Sequence, residues 1–230
     1  MLTVYTVLDN NDAFGLDDFV RSVAPPEADG VENFGYNVTG LGDVNGDGRP
    51  DFAVAAPGRL PDPIGSWGGV GGGEGPQGSV YIYSGADLSL IRTLTNHTSG
   101  FGAAMAAVGD LDADGVPDLV VGSPNVDNNA DLVVDQHGRI TVYSGANGGI
   151  ITSINGAGRF FEFGYSLATI GDFDGDGHDD VIVGAPAAGT DPSVTGPGCA
   201  FVYSLIDSAL LHTFTGENVG ERVQERRVDE

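Results

Sequence analysis

Three stretches of the chain repeat one pattern. They read FGYNVTGLGDVNGDGRPDFAVAAP at 34–57, FGAAMAAVGDLDADGVPDLVVGSP at 101–124 and FGYSLATIGDFDGDGHDDVIVGAP at 163–186. Each leads through a variable loop into a second similar run: GSVYIYSGADLSLIRTL (78–94), GRITVYSGANGGIITSI (138–154) and GCAFVYSLIDSALLHTF (198–214). A long repeat of this kind implies one supersecondary unit per copy. Each unit buries its apolar face against the next, because it cannot bury that face alone.

Four short strands are predicted in each unit. The first follows Phe-Gly and ends at Gly-Asp. The second is a continuous apolar run, Phe52–Ala55, Leu119–Val121 or Val181–Val183, as expected of a strand buried on both faces. The third alternates Val80 and Ile82 with Tyr81 and Tyr83, or Ile140 and Val142 with Thr141 and Tyr143. The fourth carries Leu90-Ile91, Ile150-Ile151 or Leu210-Leu211. Ser84-Gly85-Ala86-Asp87 and Ser144-Gly145-Ala146-Asn147 supply turn chemistry between strands three and four. Four antiparallel strands per repeat are the mark of a propeller blade, so the expected fold class is an all-β propeller. Thirty-eight of the 230 residues are Gly, which also weighs against helices, where each Gly costs about 1 kcal/mol relative to Ala.

The expected organisation is a partial blade at 1–33, full blades at 34–100, 101–162 and 163–216, and a tail at 217–230. Residues 2–8 resemble a third strand and 19–23 a fourth. Three and a half blades do not close a ring of typically four to eight. Either the sequence is a segment of a longer protein, or chains associate to complete the ring.

Between strands one and two the same acidic loop occurs three times. Its members are Asp43-Val-Asn45-Gly-Asp47-Gly-Arg49-Pro-Asp51, Asp110-Leu-Asp112-Ala-Asp114-Gly-Val116-Pro-Asp118 and Asp172-Phe-Asp174-Gly-Asp176-Gly-His178-Asp-Asp180. Side-chain oxygens fall at positions 1, 3, 5 and 9. A Gly at position 6 permits the reversal that points them inward. Position 7 (Arg49, Val116, His178) varies, as it can where only its carbonyl is used. Such a cage suits Ca²⁺, which takes six to eight oxygens, better than Mg²⁺, which keeps several waters. An Asp-rich turn serving solubility alone would repel itself without a cation. An EF-hand needs Glu at position 12, where Val54, Val121 and Val183 stand. The His178 side chain is expected to face solvent with no ligand role.

Phe-Gly, the D-x-[DN]-x-D-G-x-x-D loop and the Gly184-Ala185-Pro186 signature, with its variants Ala55-Ala56-Pro57 and Gly122-Ser123-Pro124, together resemble FG-GAP repeats over residues 34–216. Repeats of that family build the seven-bladed propeller of integrin α subunits and occur in many bacterial surface proteins. The resemblance implies three Ca²⁺ sites: Asp43, Asn45, Asp47 and Asp51; Asp110, Asp112, Asp114 and Asp118; Asp172, Asp174, Asp176 and Asp180. The carbonyls of Arg49, Val116 and His178 would complete the shells. It also implies an extracellular or cell-surface, non-catalytic binding or adhesion scaffold. Its protein or glycan ligand would dock on the face opposite the calcium loops, where the long loop with Trp67 lies. Two rivals stand beside it: a propeller enzyme acting on polysaccharide (lyase or hydrolase), and a purely structural spacer. The four His residues fall at non-equivalent repeat positions and form no His–nucleophile–acid constellation. Phe34, Phe101 and Phe163 are expected to pack blade against blade. Asn37-Val-Thr39 and Asn96-His-Thr98 are glycosylation sequons.

The net charge of −24, with nine Arg and no Lys, excludes a phosphate-backbone partner. No apolar run is long enough to span a membrane as a helix. Cys199, the sole cysteine, excludes an internal disulfide. Eleven of the 33 acidic residues stand at positions 1, 3, 5 and 9 of the three loops. The remainder implies a hydrated acidic surface.

Overall fold

The computed structural model describes residues 2–4, 21–25, 33–58, 78–96, 100–126, 137–157, 162–188 and 196–217. Among them every regular element is a strand. Three antiparallel four-stranded sheets follow one another: β3 (Asn37–Gly40), β4 (Phe52–Ala56), β5 (Gly78–Tyr83) and β6 (Leu90–Asn96); β7 (Met105–Val108), β8 (Asp118–Ser123), β9 (Arg139–Tyr143) and β10 (Ile150–Asn155); and β11 (Ser166–Gly171), β12 (Asp180–Ala185), β13 (Cys199–Ser204) and β14 (Leu210–Thr215). Each is a meander in sequence order. Each carries a register shift where the fourth strand opens, at Ile82/Tyr83, Ile150/Thr152 and Val202/Tyr203. The fold is all-β, built of propeller blades.

Ahead of the first sheet, β1 (Leu2–Val4) and β2 (Arg21–Val23) form an antiparallel pair. The pairing of Leu2 with Val23 and Thr3 with Ser22 matches that of Ile140 with Ile154 and Thr141 with Ser153. That is the register of the third and fourth strands of a sheet. The Trp67 loop, the His97 and Thr98 part of the second sequon, and the tail beyond Glu217 lie outside the described residues.

Neighbouring sheets share cores, because the central strands are apolar on both faces. Ala53, Ala55, Val80 and Ile82 of the first sheet pack with Phe101, Met105, Leu119 and Val121 of the second. Val120, Ile140 and Val142 pack in turn with Phe163, Val181 and Val183 of the third. Phe101 and Phe163 are 0% and 1% exposed and sit at these junctions, as expected of the Phe-Gly pairs. Phe163 meets Phe201 and Tyr203 edge-on or tilted on its own blade. Its backbone lies so close over Gly138 that a Cβ there would strike the Phe163 carbonyl. Phe34 is only half-buried, against Val23, Tyr81 and Tyr83.

The first strands lie side by side. Asn37 Nδ2 donates to the Ala103 carbonyl (3.3 Å), and Thr169 Oγ1 donates to the Ala107 carbonyl (2.6 Å). On the far side, Arg92 of β6 donates to the carbonyls of Gly145 and Ala146 in the next blade (2.7 and 2.6 Å). Among the described residues the third sheet has no such neighbour on its outer face, and there Phe201 and Tyr203 are half-buried and Phe214 is 52% exposed. A cleft of about 560 Å³ opens there, lined by Gly184, Gly198, Cys199, Ala200, Phe214 and Gly216 among others. Gly184 and Gly198 occupy the repeat positions of Gly122 and Gly138, on which the Phe163-Gly164 backbone sits, and Gly216 occupies that of Gly156, which faces the His137 carbonyl and the Phe163 Cβ.

Replacing Phe163 by Ala empties the second junction and is expected to cost about 3–5 kcal/mol. Tyr165→Ala, at a 43% exposed position, is expected to stay within about 0.5 kcal/mol. Urea unfolding of the two variants checks the difference.

Candidate metal centre

Each acidic loop joins the first strand of a blade to the second and is folded by its own backbone. The position 1 carboxylates gather N–H groups. Asp43 Oδ1 accepts from Gly46 and Asp47 (2.7 and 3.1 Å), and its Oδ2 accepts from Gly48 (2.7 Å). Asp172 repeats this with Gly175, Asp176 and Gly177 (2.6, 3.0 and 2.9 Å). Asp110 does so with Asp114 and Gly115 (3.0 and 2.7 Å). Position 3 (Asn45, Asp112, Asp174) accepts from the N–H of position 5 at 2.9, 3.2 and 3.1 Å. Position 5 (Asp47, Asp114, Asp176) accepts from the N–H of position 7 (Arg49, Val116, His178) at 2.9, 2.9 and 2.8 Å. Short-range bonds of this kind are what Asp and Asn make in turns. They draw the carboxylates to one side of the chain.

The result is an oxygen cluster. Carboxylate oxygens of Asp110, Asp112 and Asp118 lie within 4.8 Å of one another, and so do those of Asp172, Asp174 and Asp176. In the first loop Asn45 stands in place of an acid, and its amide donates to Asp47 Oδ2 (2.9 Å). Backbone donation, from Gly48 foremost, holds the Asp43 carboxyl below its usual value.

Position 9 carries a second role that the sequence pattern does not disclose. Asp51, Asp118 and Asp180 are 2%, 0% and 0% exposed. One oxygen of each accepts from the loop: Val44 N–H to Asp51 (2.9 Å), Leu111 N–H to Asp118 (2.7 Å) and Phe173 N–H to Asp180 (2.7 Å). In the first two blades the other oxygen accepts from the turn between strands three and four, through Gly85 (2.9 Å) and Gly145 (3.0 Å). Ser84 and Ser144 add hydroxyl bonds to Asp47 and Asp114 (3.2 and 3.1 Å). The acidic loop and the 3–4 turn therefore share one end of the blade, and these serines join the candidate set. The repeated Ser-Gly in those turns was the available signal.

His178 is partly exposed. The bond from its N–H to Asp176 holds position 7 close to the loop. Position 8 ties blades together: Asp179 Oδ2 accepts from Gly109 N–H of the preceding blade (2.8 Å). Pro117 packs over Gly42 in the same relation.

Burial, reinforced by the charges of Asp112 and Asp114, pushes the Asp118 carboxyl up. Burial does the same to Asp180, with Asp174 and Asp176 adding to it. Acceptor-only groups, packed together and partly out of water, fit a hard cation.

An acidic loop of this form between strands of a propeller blade defines a repeat class. FG-GAP repeat matches cover residues 101–143 and 163–198, and an FG-GAP-like repeat match covers 43–121. The chain belongs to the FG-GAP repeat proteins. It is 32% identical to integrin alpha-7 of Rattus norvegicus over 167 residues, 68% of this chain and 13% of that protein. It is 31% identical to integrin alpha-V of Gallus gallus over 175 residues, 74% of this chain and 15% of that protein. The chain thus spans less than a sixth of the length of these relatives. Among solved structures it is similar to rhamnogalacturonan lyase YesW, at 15% identity and a TM-score of 0.48, over 81% of this chain and 36% of that one. The Dos1 propeller is a further similar structure, at 17% identity and a TM-score of 0.35, over 60% of this chain and 31% of that one.

A testable pH dependence follows for Asp180. Its folded value is raised, so above the ordinary carboxyl range the native state binds more protons than the unfolded chain. Its contribution to stability therefore falls as pH rises through the raised folded value and is regained as pH falls toward about 4. In chelator, the melting-temperature difference between Asp180→Asn and the parent is expected to shrink as pH drops over that window. Thermal melts at stepped pH measure it.

Proposed function

We propose that the chain is a Ca²⁺-stabilised, non-catalytic propeller scaffold for extracellular binding or adhesion. The observation that carries this is the clustering of loop carboxylates beside aspartates that are fully buried. The proposed ligands are Asp43, Asn45, Asp47 and Asp51 with the Arg49 carbonyl; Asp110, Asp112, Asp114 and Asp118 with the Val116 carbonyl; and Asp172, Asp174, Asp176 and Asp180 with the His178 carbonyl. A cation at each loop would neutralise carboxylates that otherwise repel one another. Extracellular Ca²⁺ would fill even weak sites of this type.

The proposed units are a partial blade at 1–33, blades at 34–100, 101–162 and 163–216, and a tail at 217–230. The similarity to integrin alpha chains supports a protein ligand, and a glycan is the alternative of like geometry. Either would dock on the face opposite the loops. Ring completion is proposed through the cleft on the third sheet, occupied by the Phe-Gly edge of a further blade.

Excess Ca²⁺ is expected to raise the melting temperature, because it binds the folded loops and not the unfolded chain. One site held a hundredfold above its Kd gives about 5–10 °C. A melting curve unchanged by EDTA would refute the cation assignment. Turnover of a polysaccharide substrate would refute the non-catalytic one. Light scattering separates the sources of further blades. A mass above one chain supports association of copies, and a strict monomer would refute it.

A further inference from the structure

The three loops are not equivalent, and one residue makes the difference. Leu205, 1% exposed and set in the apolar core, stands at the repeat position of Gly85 and Gly145. Those glycines approach the acidic loop so closely that a Cβ on either would collide with the carbonyl of Pro50 or Pro117. Leu carries that Cβ and more, so the third turn cannot make the same approach. Asp180 Oδ1 and Ser204 Oγ are consequently buried without a hydrogen-bond partner among the described residues. Their counterparts on Asp51, Asp118, Ser84 and Ser144 are all bonded. Asp180 Oδ2 is satisfied normally, by the N–H groups of Phe173 and Asp174 (2.7 and 3.3 Å).

Resting on the cation proposal above, we infer that the third loop is the tightest of the three sites. Leu205 sets this by releasing Asp180 Oδ1 from the turn, so that it is free to turn toward the Asp172, Asp174 and Asp176 cluster, which Asp180 does not join in the cation-free protein. In the first two blades a backbone N–H already satisfies that oxygen, so a cation gains less from it. In the third, the cost of a buried, unsatisfied carboxylate oxygen is present in the cation-free protein and is recovered on binding. The bound cation then does for the third blade what a glycine N–H does for the others. This loop also carries carboxylates at all four side-chain positions, whereas the first has Asn45.

Calcium titration calorimetry on the full 230-residue chain tests the assignment. One site tighter than the other two is expected, lost in Asp180→Asn. Leu205→Gly, which permits the turn to close, is expected to weaken that site about tenfold, near what one hydrogen bond to a charged group is worth. Melting in chelator is the second arm and needs no metal. Asn at 180 can accept the Phe173 and Asp174 N–H groups through its one oxygen while its amide nitrogen faces no donor. Asn at 118 must set that nitrogen against a backbone N–H. Asp118→Asn is therefore expected to melt about 2–8 °C below the parent, and Asp180→Asn at or above it. Three sites of equal affinity, or an equal loss of melting temperature in both Asn variants, would overturn the inference while leaving the cation proposal intact. No heat of calcium binding in any protein, with the parent shown folded by its melt, would overturn both.

Discussion

A buried aspartate at the head of each blade's second strand is the hub on which the functional end of the blade depends. Asp51 and Asp118 each accept one N–H from the acidic loop and one from the turn between the outer strands. One side chain thus links segments 34 and 27 residues apart. A carboxylate is the side chain suited to this, since it presents two acceptors and no donor. Its burial is costly, and the hydrogen bonds offset part of that cost. The same arrangement gathers negative charge where a hard cation can neutralise it.

Blade stacking supplies the second layer of order. The apolar second and third strands are buried on both faces because each sheet is sandwiched between neighbours, as in the shared cores around Phe101 and Phe163. Glycines at 78 and 138 admit the backbone of the following Phe-Gly pair at a separation that a Cβ would forbid. The third sheet has the same glycine pattern with none of the described residues stacked on it, hence the cleft and the half-buried aromatics of β13. Cross-blade bonds donated by Arg92, Asn37 and Thr169 and accepted by Asp179 fix the rotation of one blade on the next.

The strand plan, the propeller class and the acidic loops were legible in the sequence, because the repeat displays each element three times. Alternation and apolar runs mark strands through side-chain periodicity, and the D-x-[DN]-x-D-G-x-x-D spacing marks the loop through local turn chemistry. At position 7 the backbone N–H of His178 bonds to Asp176, as those of Arg49 and Val116 bond to Asp47 and Asp114. Ser84 and Ser144 escaped notice as partners of the loops, because 37 and 30 residues separate them from Asp47 and Asp114.

The sequence by itself determined what is local: which segments become strands, which turn gathers oxygens, and that the units repeat. Only the tertiary structure decided that the ninth-position aspartate is buried between loop and turn, and that Leu205 denies the third copy its tether. Local patterns repeat with the sequence, whereas a hydrogen bond between distant segments depends on how closely two backbones approach. That distance is set by whether a Cβ stands between them.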